Sequence, residues 1–272
     1  MSLKKSKLNK FFDKIFVISL FDKVERWQKV SKQFKNRKID VERFIAIDGR
    51  CSNESNEACM QKLKSFEMIF NVKITNKKNK PIKELIPAAS LSIGTILILR
   101  EMVKQKWNHI LICEDDINIT RNFEEKFSKG IKEIGNAKWD VLYLGCGEMC
   151  GNNGISDKKT KTNKHLCPMS EYYEDYKFYC ESKDDLRIPC DNCKFFSENI
   201  SIVKKIGGGW AYAVSLSGAK KILKLIDNDA GNHMDQIIPL YINEGKLKGL
   251  SFDPPIIYHE GGIVRTDSDI PW

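Results

Sequence analysis

The sequence predicts an α/β fold, a Rossmann-type nucleotide-binding sheet flanked by helices and interrupted by a cysteine-rich insertion. Two observations predict it. The apolar run 14–20 is followed by Val24, Trp27, Val30, Ser31 and Phe34 at helical spacing, then by a second short run, 41–47. That strand–helix–strand order implies a right-handed parallel crossover. A later apolar run, starting at His109, ends abruptly in Glu114, Asp115 and Asp116. In open α/β sheets the carboxyl ends of strands face the ligand crevice.

Taken in order, 14–20 is the first core strand, and 41–47 closes at the Asp48-Gly49 turn. Residues 50–83 are polar and irregular, with helical spacing over 57–70 and an exposed basic loop at 76–80. Pro87 precedes a long helix over 88–106, whose Leu91, Thr95, Ile98, Leu99 and Met102 share a face. A second amphipathic helix over 122–134 turns Phe123, Phe127, Ile131 and Ile134 inward. The strand 139–145 ends in Gly145, which lets the backbone come close to a ligand. Glycines 207–209 lead into a strand over 210–215, Ser217 caps a helix over 218–226, and His233-Met234-Asp235 opens a helical run over 236–243. The chain reads as one domain, 1–272, with 146–201 as an insertion on its core.

A net charge of +9 over 272 residues favours acidic partners, such as a nucleotide or a phosphorylated substrate. Most lysines lie in loops and amphipathic helices, so solvation accounts for much of the excess and nucleic acid is disfavoured. Residues 1–10 are polar and lysine-rich, unlike a signal peptide, and no stretch reaches the ~18 apolar residues that span a membrane. The expectation is a cytoplasmic protein. Nine cysteines, an odd number, fit reduced thiols better than a disulfide framework. Six of them (Cys146, Cys150, Cys167, Cys180, Cys190 and Cys193) fall in the insertion, and Cys190-x2-Cys193 is half of a structural Zn²⁺ site, with His165 a further ligand. Zinc, disulfides and free thiols all stay open there.

Three carboxylates at a strand tip repel one another unless a cation sits among them. Strand alternation would point Glu114 and Asp116 together and turn Asp115 away. The sharp reading is a divalent cation on a nucleotide diphosphate; the plain one is an acidic turn or helix cap.

The motifs resemble glycosyltransferase family 25, which includes bacterial lipooligosaccharide galactosyltransferases of lipopolysaccharide biosynthesis and the galactosyltransferase domains of collagen glycosylation. IFVISLFDKVERW looks like the family's opening strand and arginine-bearing turn, and ERFIAIDGR is similar to its F-x-A-(V/I)-D-G segment. ASLSIGTILIL resembles the C-A-L-S-H helix, HILICEDDI the acidic strand end, and WDVLYLG follows at the expected distance. GGGWAYAVSLSGAKKIL, HMDQIIPLY and the ending YHEGGIVRTDSDIPW complete the order, the last looking most like collagen-type members. Ile93 stands where the family usually has the histidine of C-A-L-S-H, so that residue's role does not carry over.

The resemblance implies a GT-A fold, a UDP-hexose donor and inversion at the anomeric carbon, with galactose favoured over glucose. Glu114 and Asp116 would hold Mn²⁺, or Mg²⁺, with His259 as third ligand, since imidazole tilts the choice towards manganese. Asp235 matches the aspartate of the family's P-V-D segment and is the candidate general base. Ser19, Leu20, Arg26 and Asp48 would contact the nucleotide, Asp115 would orient neighbours or the sugar, and Trp210 would offer a sugar-stacking face. The acceptor would be a glycan hydroxyl or a hydroxylysine of a collagen-like chain. Two rival readings are a metal-dependent phosphoryl-transfer enzyme or nuclease, and a zinc-stabilised basic module binding nucleic acid. The lack of a Walker-type glycine loop counts against a P-loop enzyme.

Overall fold

A computed structural model describes residues 6–147, 165–166, 179–180, 193–203, 207–253 and 255–259. The helices are α1 (Lys7–Phe11), α2 (Val24–Asn36), α3 (Asn56–Phe70), α4 (Ile82–Gln105), α5 (Phe123–Ile134), α6 (Leu216–Ile226) and α7 (Met234–Asn243). The strands are β1 (Lys14–Ser19), β2 (Glu42–Ile45), β3 (His109–Glu114), β4 (Ile117–Ile119), β5 (Val141–Gly147), β6 (His165–Leu166), β7 (Tyr179–Cys180), β8 (Cys193–Ser197), β9 (Ile200–Val203), β10 (Gly207–Ser215), β11 (Gly249–Phe252) and β12 (Ile257–His259).

Eight strands form one mixed sheet in the order β2-β1-β3-β10-β5-β11-β9-β8. β1 pairs in parallel with β2 and β3, as the crossover rule requires, whereas β10 runs antiparallel between β3 and β5. Side-chain alternation divides the core in two. Phe16, Ile18, Ile110, Ile112, Tyr143 and Val214 face α3, α4, α6 and α7. Val17, Leu111, Cys113, Leu142 and Ala213 face α1, α2 and α5. The result is a three-layer helix–sheet–helix sandwich. The α/β expectation therefore holds, and two small two-stranded sheets, β4–β12 and β6–β7, are added to it.

Several expected boundaries move for identifiable reasons. α4 begins at Ile82, before Pro87, because Pro81 O accepts from Glu84 N at 2.9 Å and Leu85 N at 3.0 Å and closes a first turn. Pro87 lies in the second turn, where it forfeits one intrahelical bond, the one to Lys83 O. By length and composition α4 could cross a membrane, contrary to the expectation that no stretch would, but 72% of its apolar window is buried inside the protein. The cap of α6 is Ser215 rather than Ser217: its Oγ accepts from Gly218 N at 3.0 Å. Gly218 is required there, since a Cβ would collide with Asp140 O. Cys51 and Cys59, expected as thiols, are joined in a disulfide, while Cys113 is a buried free thiol. The two cysteines are only 8 residues apart, with Cα atoms 6.0 Å from each other, a separation a disulfide spans readily. Most of the insertion, including Cys150, Cys167 and Cys190, lies outside the described residues, as does the tail from Glu260.

Candidate active site

The carboxyl ends of β1, β2 and β3 lie side by side, with Phe44, Ile18 and Glu114 in register across the three strands. β3 stops at Glu114, and the chain bends through Asp115 and Asp116 into β4. The bend matters because strand alternation ends with the strand. Glu114 continues the row of Ile110 and Ile112 into a cavity also lined by Leu91, Thr95, Gly209, Tyr212 and Asp235. Asp115 and Asp116 instead both approach Arg26 of α2, with Asp115 Oδ1 at 3.6 Å and Asp116 Oδ2 at 3.7 Å from Nη1. Asp115, expected to turn away from its neighbours, instead shares Arg26 with Asp116.

The acidic bend is held from two sides. Gln33 of α2 donates to Ile117 O and accepts from Ile119 N, both at 2.9 Å, and Arg37 donates to Ile119 O at 3.0 Å. β4 then pairs antiparallel with β12, which sets His259 opposite Ile117, one residue past Asp116. The backbone of the predicted third ligand therefore sits beside the acidic bend. Gly145 permits this approach, since a Cβ there would meet Ile257 O and the indole of Trp210.

Asp235 lies in the first turn of α7, whose position is fixed by Ser92 Oγ of α4 donating to Asn232 O. Its Oδ1 is buried without a hydrogen bond, 3.7 Å from Nδ1 of the buried His233. Burial lowers the His233 pKa, so the imidazole beside Asp235 is neutral near pH 7. Tyr212 reaches Thr95, with 3.5 Å between the hydroxyl oxygens, and burial raises its pKa, with Glu114 and Asp235 pushing the same way. A buried acceptor with no hydrogen bond, at the wall of a cavity, suits a group that receives a proton from something bound there.

The remaining predicted contacts fare differently. Ser19 is buried, and its hydroxyl and Leu20 O accept from Arg43 at 3.2 and 2.7 Å, so Arg43 organises the end of β1. Asp48 is exposed and gripped by Arg50, which also bonds Asp22 Oδ2 at 2.7 Å and so ties the β1 and β2 ends together. The hydrogen bonds from Arg50 hold both carboxyl groups below the usual range. Trp210 does not offer a sugar-stacking face. A register shift between Ala211 and Tyr212 breaks the alternation of β10, and Trp210 packs in the core with Nε1 donating to Ile257 O at 3.2 Å.

Sequence reasoning missed Tyr212, Gln33 and Arg43. Thr95, a polar residue on the inward face of α4, was a visible signal for the cavity. The metal expectation meets a donor set of hard carboxylate oxygens, which fits Mn²⁺ or Mg²⁺. Among the described residues, however, the three carboxylates do not converge as three ligand atoms. The group that does is Cys51, Glu54 and Cys59, two of which are in the disulfide.

A family model described as glycosyltransferase family 25 (LPS biosynthesis protein) matches residues 12–238. The chain belongs to glycosyltransferase family 25. The matched span holds β1, the acidic bend, the cavity and Asp235, and stops before β12. Among curated proteins, procollagen galactosyltransferase 2 of Mus musculus is 25% identical over 140 residues, covering 49% of this chain and 21% of the relative. A glycosyltransferase 25 family member of Drosophila melanogaster is 28% identical over 144 residues, 52% of this chain and 22% of the relative. The chain thus spans about a fifth of the length of these relatives. Of solved structures, an inositol-1-phosphate CTP transferase from T. maritima covers 91% of this chain and is itself covered to 89%, at 10% identity. Its TM-score of 0.37 is too low to carry an argument.

Proposed function

We propose that this family 25 chain transfers a hexose from a UDP-sugar to an acceptor hydroxyl, with inversion at the anomeric carbon and galactose preferred to glucose. The observation that carries the reading is the meeting of Glu114 and Asp235 in one cavity at the carboxyl end of β3, beside Asp115, Asp116 and Arg26. The name of the mouse relative, procollagen galactosyltransferase 2, supports the sugar.

In this mechanism Asp235 accepts the proton of the acceptor hydroxyl as its oxygen attacks the anomeric carbon. The bond from that carbon to the β-phosphate oxygen breaks, and its electron pair leaves with UDP. Burial without a competing hydrogen bond keeps Asp235 Oδ1 available for that proton. Arg26, drawn to the bend by Asp115 and Asp116, lies where a guanidinium can pair with a diphosphate. Ser19, Leu20 and Asp48 mark the nucleotide side, organised by Arg43 and Arg50. Mn²⁺, or Mg²⁺, held by Glu114, Asp116 and His259 would offset the diphosphate charge when bound.

The test is a panel of nucleotide-sugars with Mn²⁺, with and without chelator, and determination of the product anomer. A β-linked product from an α-linked UDP-hexose, lost on chelation, is expected. A retained anomer would overturn inversion, and no turnover of any sugar nucleotide would overturn the reading.

A further inference from the structure

The basic loop at 76–80 is fastened to the segment that leads into α7. Lys73 N donates to Asn228 O at 2.8 Å, and Ala230 N donates to Lys73 O at 2.7 Å. Asp229 Oδ1 accepts from Thr75 N at 3.1 Å, and Thr75 Oγ1 donates to Asp229 Oδ2. Gly231 allows this close approach, since a Cβ there would strike Thr75 O. The loop itself is closed by Asn76, which donates to Lys80 O at 2.7 Å and accepts from Lys80 N at 2.8 Å. Lys78 then reaches across to Gln236 Oε1 at 3.0 Å, next in sequence to Asp235. Both Lys78 and Lys80 bear electrostatically on the buried His233. Lys77 pairs with Asp229 at 3.7 Å, but among the described residues neither Lys78 nor Lys80 has a carboxylate partner.

We infer that Lys78 and Lys80 select an acceptor glycan that carries a phosphate or carboxylate near the hydroxyl to be glycosylated. This rests on the glycosyltransferase reading, with Asp235 as the group that meets the hydroxyl. The Lys78 ammonium, anchored on Gln236 in the same first turn of α7 as Asp235, and Lys80 of the same loop attract an anionic substituent. They repel hydroxylysine, which bears its own ammonium on the carbon next to its hydroxyl. The loop therefore decides between the two acceptor classes left open by the sequence.

The experiment uses the full chain, its UDP-hexose donor and three acceptors: a phosphorylated sugar, the same sugar dephosphorylated, and a hydroxylysine peptide. The phosphorylated sugar should be preferred in kcat/KM by about tenfold or more over its dephosphorylated counterpart. Lys78→Ala with Lys80→Ala should remove that preference, chiefly through KM, and the paired arginine substitutions should restore it. Raising the salt concentration should shrink it as well. Equal use of the two sugars, a preference for the hydroxylysine peptide, or a preference that survives the double alanine variant would overturn the inference while leaving glycosyl transfer intact. No turnover of donor with any acceptor would instead overturn the glycosyltransferase reading and this inference together.

Discussion

At the scale of single residues, the site depends on where a strand stops. Alternation correctly sends Glu114 to the same face as Ile112, but the bend after it swings Asp115 and Asp116 together onto Arg26. Asp235 is legible as an acidic residue at a helix start; its neutral, buried neighbour His233 is not, because burial is a property of the fold. Asp235→Asn should lower kcat by about 10²–10⁴-fold. Donor-binding and thermal stability should stay near wild type, which steady-state kinetics and a melting curve would check. Histidine also sets a pH dependence. Burial lowers the pKa of His109, stacked between Phe11 and Trp139, and of His233. The unfolded chain then binds protons first as pH falls, so this stability is complete above the unfolded value of about 6.5 and is lost below it. Melting temperatures should therefore fall between pH 7 and pH 5, and His109→Gln should flatten part of that slope.

At the scale of elements, periodicity reveals most helices and strands and little of their pairing. Phe123, Phe127 and Ile134 make α5 readable, and β1 and β3 are readable as short apolar runs. The antiparallel insertion of β10 between β3 and β5 is a long-range choice that no local pattern encodes. Its register shift, in turn, is why Trp210 is a core residue. The β4–β12 pair was equally hidden, and Gly145, read as a point of close approach to a ligand, is instead where β12 comes close. Gly145→Ala should push β12 off β5 and destabilise the fold by roughly 1–3 kcal/mol. Denaturant melts would show the loss, and weakened UDP binding should accompany it because His259 sits on β12. The Cys51–Cys59 disulfide closes a short loop between the β2 end and α3. Its reduction should destabilise the protein by about 2–3 kcal/mol on loop-closure grounds. The same melts with and without reductant test this, and Cys51→Ser should abolish the difference.

At the scale of the whole molecule, the three-layer arrangement gathers at the carboxyl end of β3 what the sequence scatters over more than two hundred residues. Arg26 arrives with α2, Glu114 to Asp116 with β3, and Asp235 with α7. The family assignment over 12–238 covers all of these. A donor site is the central claim, and binding of UDP tests it without any choice of acceptor. The deciding measurement is the melting temperature of the full chain with UDP and Mn²⁺, compared with Asp116→Asn and with added chelator. At a hundredfold excess over Kd the linkage is about 2.7 kcal/mol, or roughly 5 °C for a chain of this size. The wild type should show that rise, and Asp116→Asn or chelation should abolish it. No shift with UDP, or a full shift in Asp116→Asn, would contradict it.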